Sequence, residues 1–434
     1  MNIRPFEIAL IAGFVIAAVI GIIVLTSYKG ADAVNDKIYG NSVVIWGTFD
    51  NEPFDQFLYN LSDVNKALKV VQYKKIDPRN FNATLLNAIA DGNPPDIVVL
   101  PHELLVTYRS KLLPITYETF PERTFRDTYI DGADIFMRSD GIYGIPFAVD
   151  PLVMYWNKDI FSSSGLSQPP KTWESLLSQT LEAVVRSNDE LEISQSAVAL
   201  GEYSNVEHAK EILSMLLLQA GSTLVEEGKD GYAVTLDKSQ SNSLPPGDAA
   251  LNFYTQFVIP GKEYYSWNRS KQSDRKEFLG GTLALYFAPA SERKNLERDN
   301  ANLNFDTAPV PQGEGVTTAR TYGDFFAFAI PRTSKNIQGA YGVATLLANA
   351  QNSQVLTDAY DFAPVQRSLY TGGSSDPHKD IAYKAALTAH GWLDPDPGET
   401  SVIFRKMIED LTSGKVRLHD IIIDAVGELK ALFR

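Results

Sequence analysis

The chain has 434 residues, 44% apolar and 21% charged, which exceeds one hydrophobic core and matches the makeup of a folded globular protein. Its net charge of −14 argues against nucleic acid as a partner, because binding phosphates needs clustered Lys and Arg. The absence of cysteine removes disulfides, thiolate catalysis, Cys-ligated zinc and the lipidation residue of a lipoprotein.

The first element is an unbroken run of apolar residues and glycine from Ile8 to Leu25. That run is near the length a helix needs to cross a bilayer. Arg4 precedes it and Tyr28-Lys29 follows. The competing reading is a cleaved secretory signal, since Ala31-Asp32-Ala33 has the small-x-small form of a cleavage site. Signal cores of about 7–15 residues are shorter than this run, which favours an anchor. Both readings export the remainder. A pilin-type start lacks its processing glycine. The anchor reading gives a cytoplasmic tail at 1–7, a transmembrane anchor at 8–27 and a polar linker at 28–41.

Ser42-Val43-Val44-Ile45-Trp46 reads as a buried strand ended by Gly47-Thr48. Val70 to Tyr73 is a second strand. Phe81, Leu85, Ala88 and Ile89 have helical spacing, and Gly92-Asn93-Pro94-Pro95 ends that helix. Asp96 to Leu100 is a third strand, ended by Pro101. Strand, helix and strand in this order predict a parallel βαβ unit, with a ligand expected past the strand ends. Later elements are a helix over Asn205 to Ala220, a loop over Ser241 to Gly247, and strands over Leu283 to Phe287 and Phe325 to Ile330. Helices over Val402 to Leu411 and Ile421 to Leu432 close the chain.

Enzyme signatures are missing. There is no P-loop, no Gly-x-Ser-x-Gly elbow and no His-Glu-x-x-His. His102-Glu103 lacks the second histidine of a zinc helix. Five histidines without cysteine leave few nucleophile–base pairs. The expectation is no catalytic residue, no metal and no cofactor. Paired carboxylates leave a glycan-degrading enzyme as a remote alternative.

Seven ordered segments resemble the extracellular solute-binding proteins of ABC importers, of the sugar-binding, maltose-binding-protein-like kind. They are Val43 to Gly47, Leu85 to Val98, Leu112 to Ile115, Asp140 to Pro146, Tyr155 to Phe161, Pro169 to Glu174 and Phe362 to Leu369. The resemblance runs from about residue 42 to the end. It implies an α/β, two-lobe periplasmic-binding-protein-like fold of type II with an interlobe cleft, preceded here by one transmembrane helix. By the same resemblance the chain crosses between lobes near Pro146 to Leu152 and near Thr321 to Asp324, and returns after about Tyr370. Lobe 1 is then 42–148 plus 324–370, and lobe 2 is 149–323 plus 371–434. The implied partners are an oligosaccharide-like solute and ABC permease subunits. The membrane is reached through the N-terminal helix of a monomer whose globular part is extracytoplasmic. A scavenging or sensing receptor without an importer has the same binding chemistry.

A sugar site needs flat apolar faces for the ring and carboxylates or amides for its hydroxyls. Trp46, Gly47, Thr48, Phe49 and Asp50 end the first strand, and Pro101 and His102 end the third. Asp150 falls in the inferred crossover, where the family's maltose-type members place a sugar-contacting carboxylate. Glu202, Tyr203 and Asn205 form a strand-to-helix turn that resembles another sugar-contacting segment. Tyr286 and Ala288 lead into the cleft. Tyr322, Gly323 and Asp324 sit at the second crossover, where Gly323 fits a close backbone approach or a special φ. Ser401-Val402 stand where the resemblance places a stacking aromatic pair, so Trp392 is the candidate replacement. Tyr155-Trp156 and Tyr264-Tyr265 are read as packing.

Overall fold

The structure, a computed structural model, describes residues 42–239, 244–374 and 376–433. The expected anchor, tail and linker lie outside these residues. Among the described residues no helix is long and apolar enough to cross a membrane.

Fifteen strands are described: β1 Val43–Gly47, β2 Val71–Lys75, β3 Ile97–Pro101, β4 Met137–Arg138, β5 Gly141–Ile142, β6 Ile145–Asn157, β7 Arg186–Ser187, β8 Ile193–Val198, β9 Val225–Gly228, β10 Gly231–Val234, β11 Leu283–Pro289, β12 Phe305–Ala308, β13 Thr321–Ala329, β14 Ala363–Pro364 and β15 Ala389–His390. The longer helices include α1 Asn51–Val64, α2 Pro78–Ala90, α3 Ala209–Gln219, α4 Pro246–Thr255, α5 Glu292–Asp299, α6 Ala350–Tyr360, α7 Pro377–Thr388, α8 Pro397–Thr412 and α9 Leu418–Ala431, and a further helix spans Ile337–Leu347.

The strands pair in the order β2-β1-β3-β13-β6-β11-β8-β7, with β12 and β14 on β6 and β15 on β13. β1 runs parallel to β2 and β3, as the βαβ pattern requires. β6 joins the two halves. Its first part pairs with β13 and β14, and its second part with β11 and β12. All 13 of its residues are buried, because helices and sheet cover it throughout. Its sequence is correspondingly apolar, with Asp150 as the one charge. Two α/β lobes thus share β6 and β13.

Several bounds differ from the sequence reading for local reasons. The helix expected from Asn205 begins at Ala209. The Asn205 amide donates to the carbonyls of Asn268 and Lys271 at 3.0 and 3.1 Å, which holds 205–208 as a turn. Pro246 and Gly247 open α4 instead of closing a loop, with Pro246 in its first turn, where proline's fixed φ suits a helix start. β13 begins at Thr321, four residues before the expected strand at Phe325, because Thr321 and Tyr322 pair with β15 and Gly323 to Phe328 pair with β6.

Candidate ligand-binding cleft

The two crossover strands set the floor. Asp324 on β13 is the register partner of Asp150 on β6. Direct antiparallel partners project to one face, so two carboxylates meet there. Asp150 is 7% exposed and is satisfied by Ser291, whose N–H and Oγ–H donate at 3.1 and 2.5 Å. Burial still pushes its carboxyl up to about 7, against the pull of those bonds. Asp324 accepts from the Tyr322 hydroxyl at 2.9 Å and keeps 30% of its side chain exposed. Burial, then Glu103 and Glu211, raise it well above the carboxylate range.

Gly323, between Tyr322 and Asp324, is required by close approach and has no positive φ. A Cβ there would lie 2.9 Å from both Ala389 and Val149.

Glu103 follows β3 and is pushed up to about 7, chiefly by burial, with Asp394 and Glu211 adding and Lys210 opposing. Neither the Glu103 nor the Glu211 side chain makes a hydrogen bond or ion pair among the described residues. The first turn of α3 holds Lys210 and Glu211. Lys210 pairs with Asp394 at 2.6 Å and sits 5.7 Å from the centre of the Trp392 ring. Burial opposes its charge, but Asp394, Glu103 and Glu211 outweigh burial and hold the ammonium above its usual value. The electrostatics therefore join β3, β13, α3 and the segment after β15 at one place. It presents acceptors in excess of donors.

His102 is fully buried. Its Nδ1 accepts from the Phe325 N–H at 3.2 Å, and burial pushes its pKa down to about 3, so the ring is neutral. The 3.9 Å approach to Asp324 is thus not an ion pair. Nε2 faces Gly391, where a Cβ would lie 2.3 Å away. His102 props the floor and offers no nitrogen to a ligand.

The remaining sequence candidates divide. Pro101 ends β3 and pairs with Phe326. Trp46 lies on the sheet face under the Lys74 ammonium, 4.9 Å from its ring centre. Gly47 packs on Tyr73 and Val99, and Thr48 is half-buried. Phe49 is 8% exposed within a cluster of Phe147, Phe326, Tyr360 and Phe362, which closes its ring off from solvent. Asp50 points outward to Lys75. Glu202 is engaged by Arg269 through two bonds of 3.2 Å. Tyr203 is partly open, with the Arg405 guanidinium 5.0 Å over its ring. Tyr286 and Ala288 are core, the former packed between Phe278 and Tyr155. Trp392 is 3% exposed and stacks on Phe404, so it is not an open platform.

Sequence reasoning missed Glu103, Lys210, Glu211, Asp394 and Arg405. Glu103 was the most accessible of these, since it directly follows a strand end. Nothing in the sequence pairs Lys210 with a residue 184 positions on.

Two α/β lobes, shared crossover strands and a group of partly buried carboxyls where the lobes meet define a cleft-type binding protein. The chain belongs to the bacterial extracellular solute-binding protein family, whose model matches residues 67–386. Among curated relatives, a binding protein of Brucella abortus is 22% identical over 361 residues, spanning 81% of this chain and 82% of the relative. The galactooligosaccharide-binding protein of Bacillus subtilis is 22% identical over 70% of this chain and 68% of its own. The solved cyclic alpha-maltosyl-1,6-maltose binding protein from Arthrobacter globiformis superposes with a TM-score of 0.73 at 17% identity, covering 90% of this chain and 98% of that one. At such identity the superposition establishes the fold.

Proposed function

We propose that this protein captures a neutral oligosaccharide between its lobes and delivers it to an ABC permease by cleft closure. The observation that carries the reading is the set Glu103, Glu211 and Asp324, which brings a single internal hydrogen bond to a shared, partly solvated floor. Partly buried carboxyls accept from whatever donors the cleft admits, and sugar hydroxyls are such donors. The galactooligosaccharide-binding relative and the maltosyl-maltose-binding neighbour bind ligands of this class. Closure follows from tighter binding to the closed state, and no catalytic step is assigned.

The lobes in this reading are 42–148 plus 324–370 and 149–323 plus 371–434, and Ile8 to Leu25 tethers them to the outer face of the membrane. Of the sequence candidates, Asp324 keeps the strongest geometric support for ligand contact, with Tyr322 holding it from behind.

The test is a thermal-shift panel on the full chain in mild detergent with galacto-, malto- and manno-oligosaccharides, glycerol phosphates and peptides. A ligand at about a hundred times its Kd stabilises by roughly 2.7 kcal/mol. A rise of several degrees with an oligosaccharide supports the reading. A rise only with phosphates or peptides replaces the solute class.

A further inference from the structure

The β9–β10 hairpin pairs only within itself and lies outside the main sheet. It follows α3 in the second lobe and carries Glu227. Both carboxylate oxygens of Glu227 are taken by the first lobe. One accepts from Arg109 Nη1, and the other accepts from Arg138 Nη1 at 3.1 Å. Tyr232, the hairpin partner of Glu227, also accepts from Arg109 at 3.1 Å.

The two guanidiniums are already fixed by their own lobe. Arg109 donates to Asp140 at 2.9 Å and lies 5.4 Å from the centre of the Tyr143 ring. Arg138, on β4, donates to the Ile135 carbonyl at 2.7 Å. The hairpin is braced in turn, with Tyr232 stacked on Phe433 at 4.6 Å. The cluster is partly dry, at 22%, 11% and 20% side-chain exposure for Arg109, Arg138 and Glu227. Beside it runs a groove of about 840 Å³ lined from both lobes, including Tyr117 and Met137 on one side and Gly228 and Lys229 on the other.

We propose that Glu227, Arg109 and Arg138 form an interlobe latch that biases the solute-free protein toward closure and so sets its affinity from outside the cleft. None of the three residues is on a crossover strand, so hinge opening parts them without disturbing β6 or β13. Opening removes one carboxylate from two preplaced cations. Closing without that carboxylate would bring the hairpin against the Arg138 guanidinium, which has no other ion pair among the described residues, and against Arg109, left with Asp140. Apparent affinity scales with the fraction of molecules already in the competent form. A weaker latch therefore raises the apparent Kd for any solute by the factor by which it lowers the closed fraction.

The test needs no solute, so its failure is separable from failure of the oligosaccharide reading. The chain has no cysteine, so Val64→Cys and Val402→Cys, 89% and 57% exposed on different lobes, give two unique spin-label sites in the full chain. Pulsed electron resonance then reads the interlobe distance distribution. Glu227→Gln and Arg138→Gln should each move population to longer distance at low salt. Salt of about 1 M, which shortens the screening length to about 3 Å, should move the unmutated latch the same way and leave Glu227→Gln nearly unchanged. The salt arm needs no latch mutation and holds if a variant misfolds. Distributions that coincide for all three proteins, or for the unmutated latch at both salts, overturn the proposal.

Discussion

Asp324 stands directly opposite Asp150 across the two crossover strands, and their surroundings treat them differently. Ser291 satisfies Asp150 with two bonds, whereas Asp324 has one bond from Tyr322 and open surface beside it. Asp150 in turn disfavours ionisation of Asp324, a like-charge effect that adds to burial where the lobes join.

Stability should fall as pH rises. Asp150, Glu103 and Asp274 are each pushed up to about 7, mainly by burial. A carboxyl with a raised folded-state pKa binds its proton more tightly in the fold than in the unfolded chain. Its favourable term is complete below the unfolded value of about 4, shrinks from there to about 7, and is flat above. One such group accounts for roughly 2–4 kcal/mol. Urea unfolding at pH 5 and pH 8 should show the higher midpoint at pH 5. Asp150→Asn, whose amide keeps both Ser291 contacts, should flatten the slope. A midpoint that rises with pH would refute the burial argument.

Glu103→Gln should separate stability from binding. The side chain has no partner, and its ionised form is disfavoured, so the neutral amide should leave the solute-free protein as stable or more stable at pH 8. Affinity for the solute should fall several-fold, about the worth of one neutral hydrogen bond. Calorimetric titration with denaturant melts checks both. Unchanged affinity would place the solute elsewhere.

The Lys210–Asp394 pair ties α3 to the segment after β15, and Asp394 also accepts from the Thr400 hydroxyl at 2.9 Å. Lys210→Met leaves a carboxylate at 2% side-chain exposure unpaired. Removing one partner of a buried pair costs roughly 3–5 kcal/mol. Lys210→Met with Asp394→Asn should regain most of that loss. Denaturant midpoints of the single and double variants decide it.

Gly391 gives a steric prediction. The His102 ring occupies the space that a side chain at 391 would need. Gly391→Ala should destabilise by about 1–3 kcal/mol, the usual cost of overpacking. Adding His102→Ser should recover part of the loss by vacating that space. Melting temperatures of the two variants measure it.

The fold was legible because its main strands are continuous apolar runs. Ile97 to Leu100 and Leu283 to Phe287 announce burial on both faces, Val43 to Trp46 is buried on one face and partly covered on the other, and the Pro and Gly residues around them mark their ends. The site was legible only in part. Asp324 and Tyr322 could be placed because a crossover strand was inferred. Aromatic candidates such as Phe49 and Trp392 turned inward, because large apolar rings gain more from core contacts than from a cleft wall. Pairings over long separations left no local trace. Glu227 meets Arg109 and Arg138 across 118 and 89 residues.

The central claim is that the acceptor-rich floor binds an oligosaccharide. Calorimetric titration of the full chain with the oligosaccharide that most raises its melting temperature, beside Asp324→Asn and Glu103→Gln, tests it most directly. One site per chain is expected, with both variants several-fold weaker, about the worth of one neutral hydrogen bond. Binding of equal strength in all three proteins, or heat from no oligosaccharide at all, would contradict it.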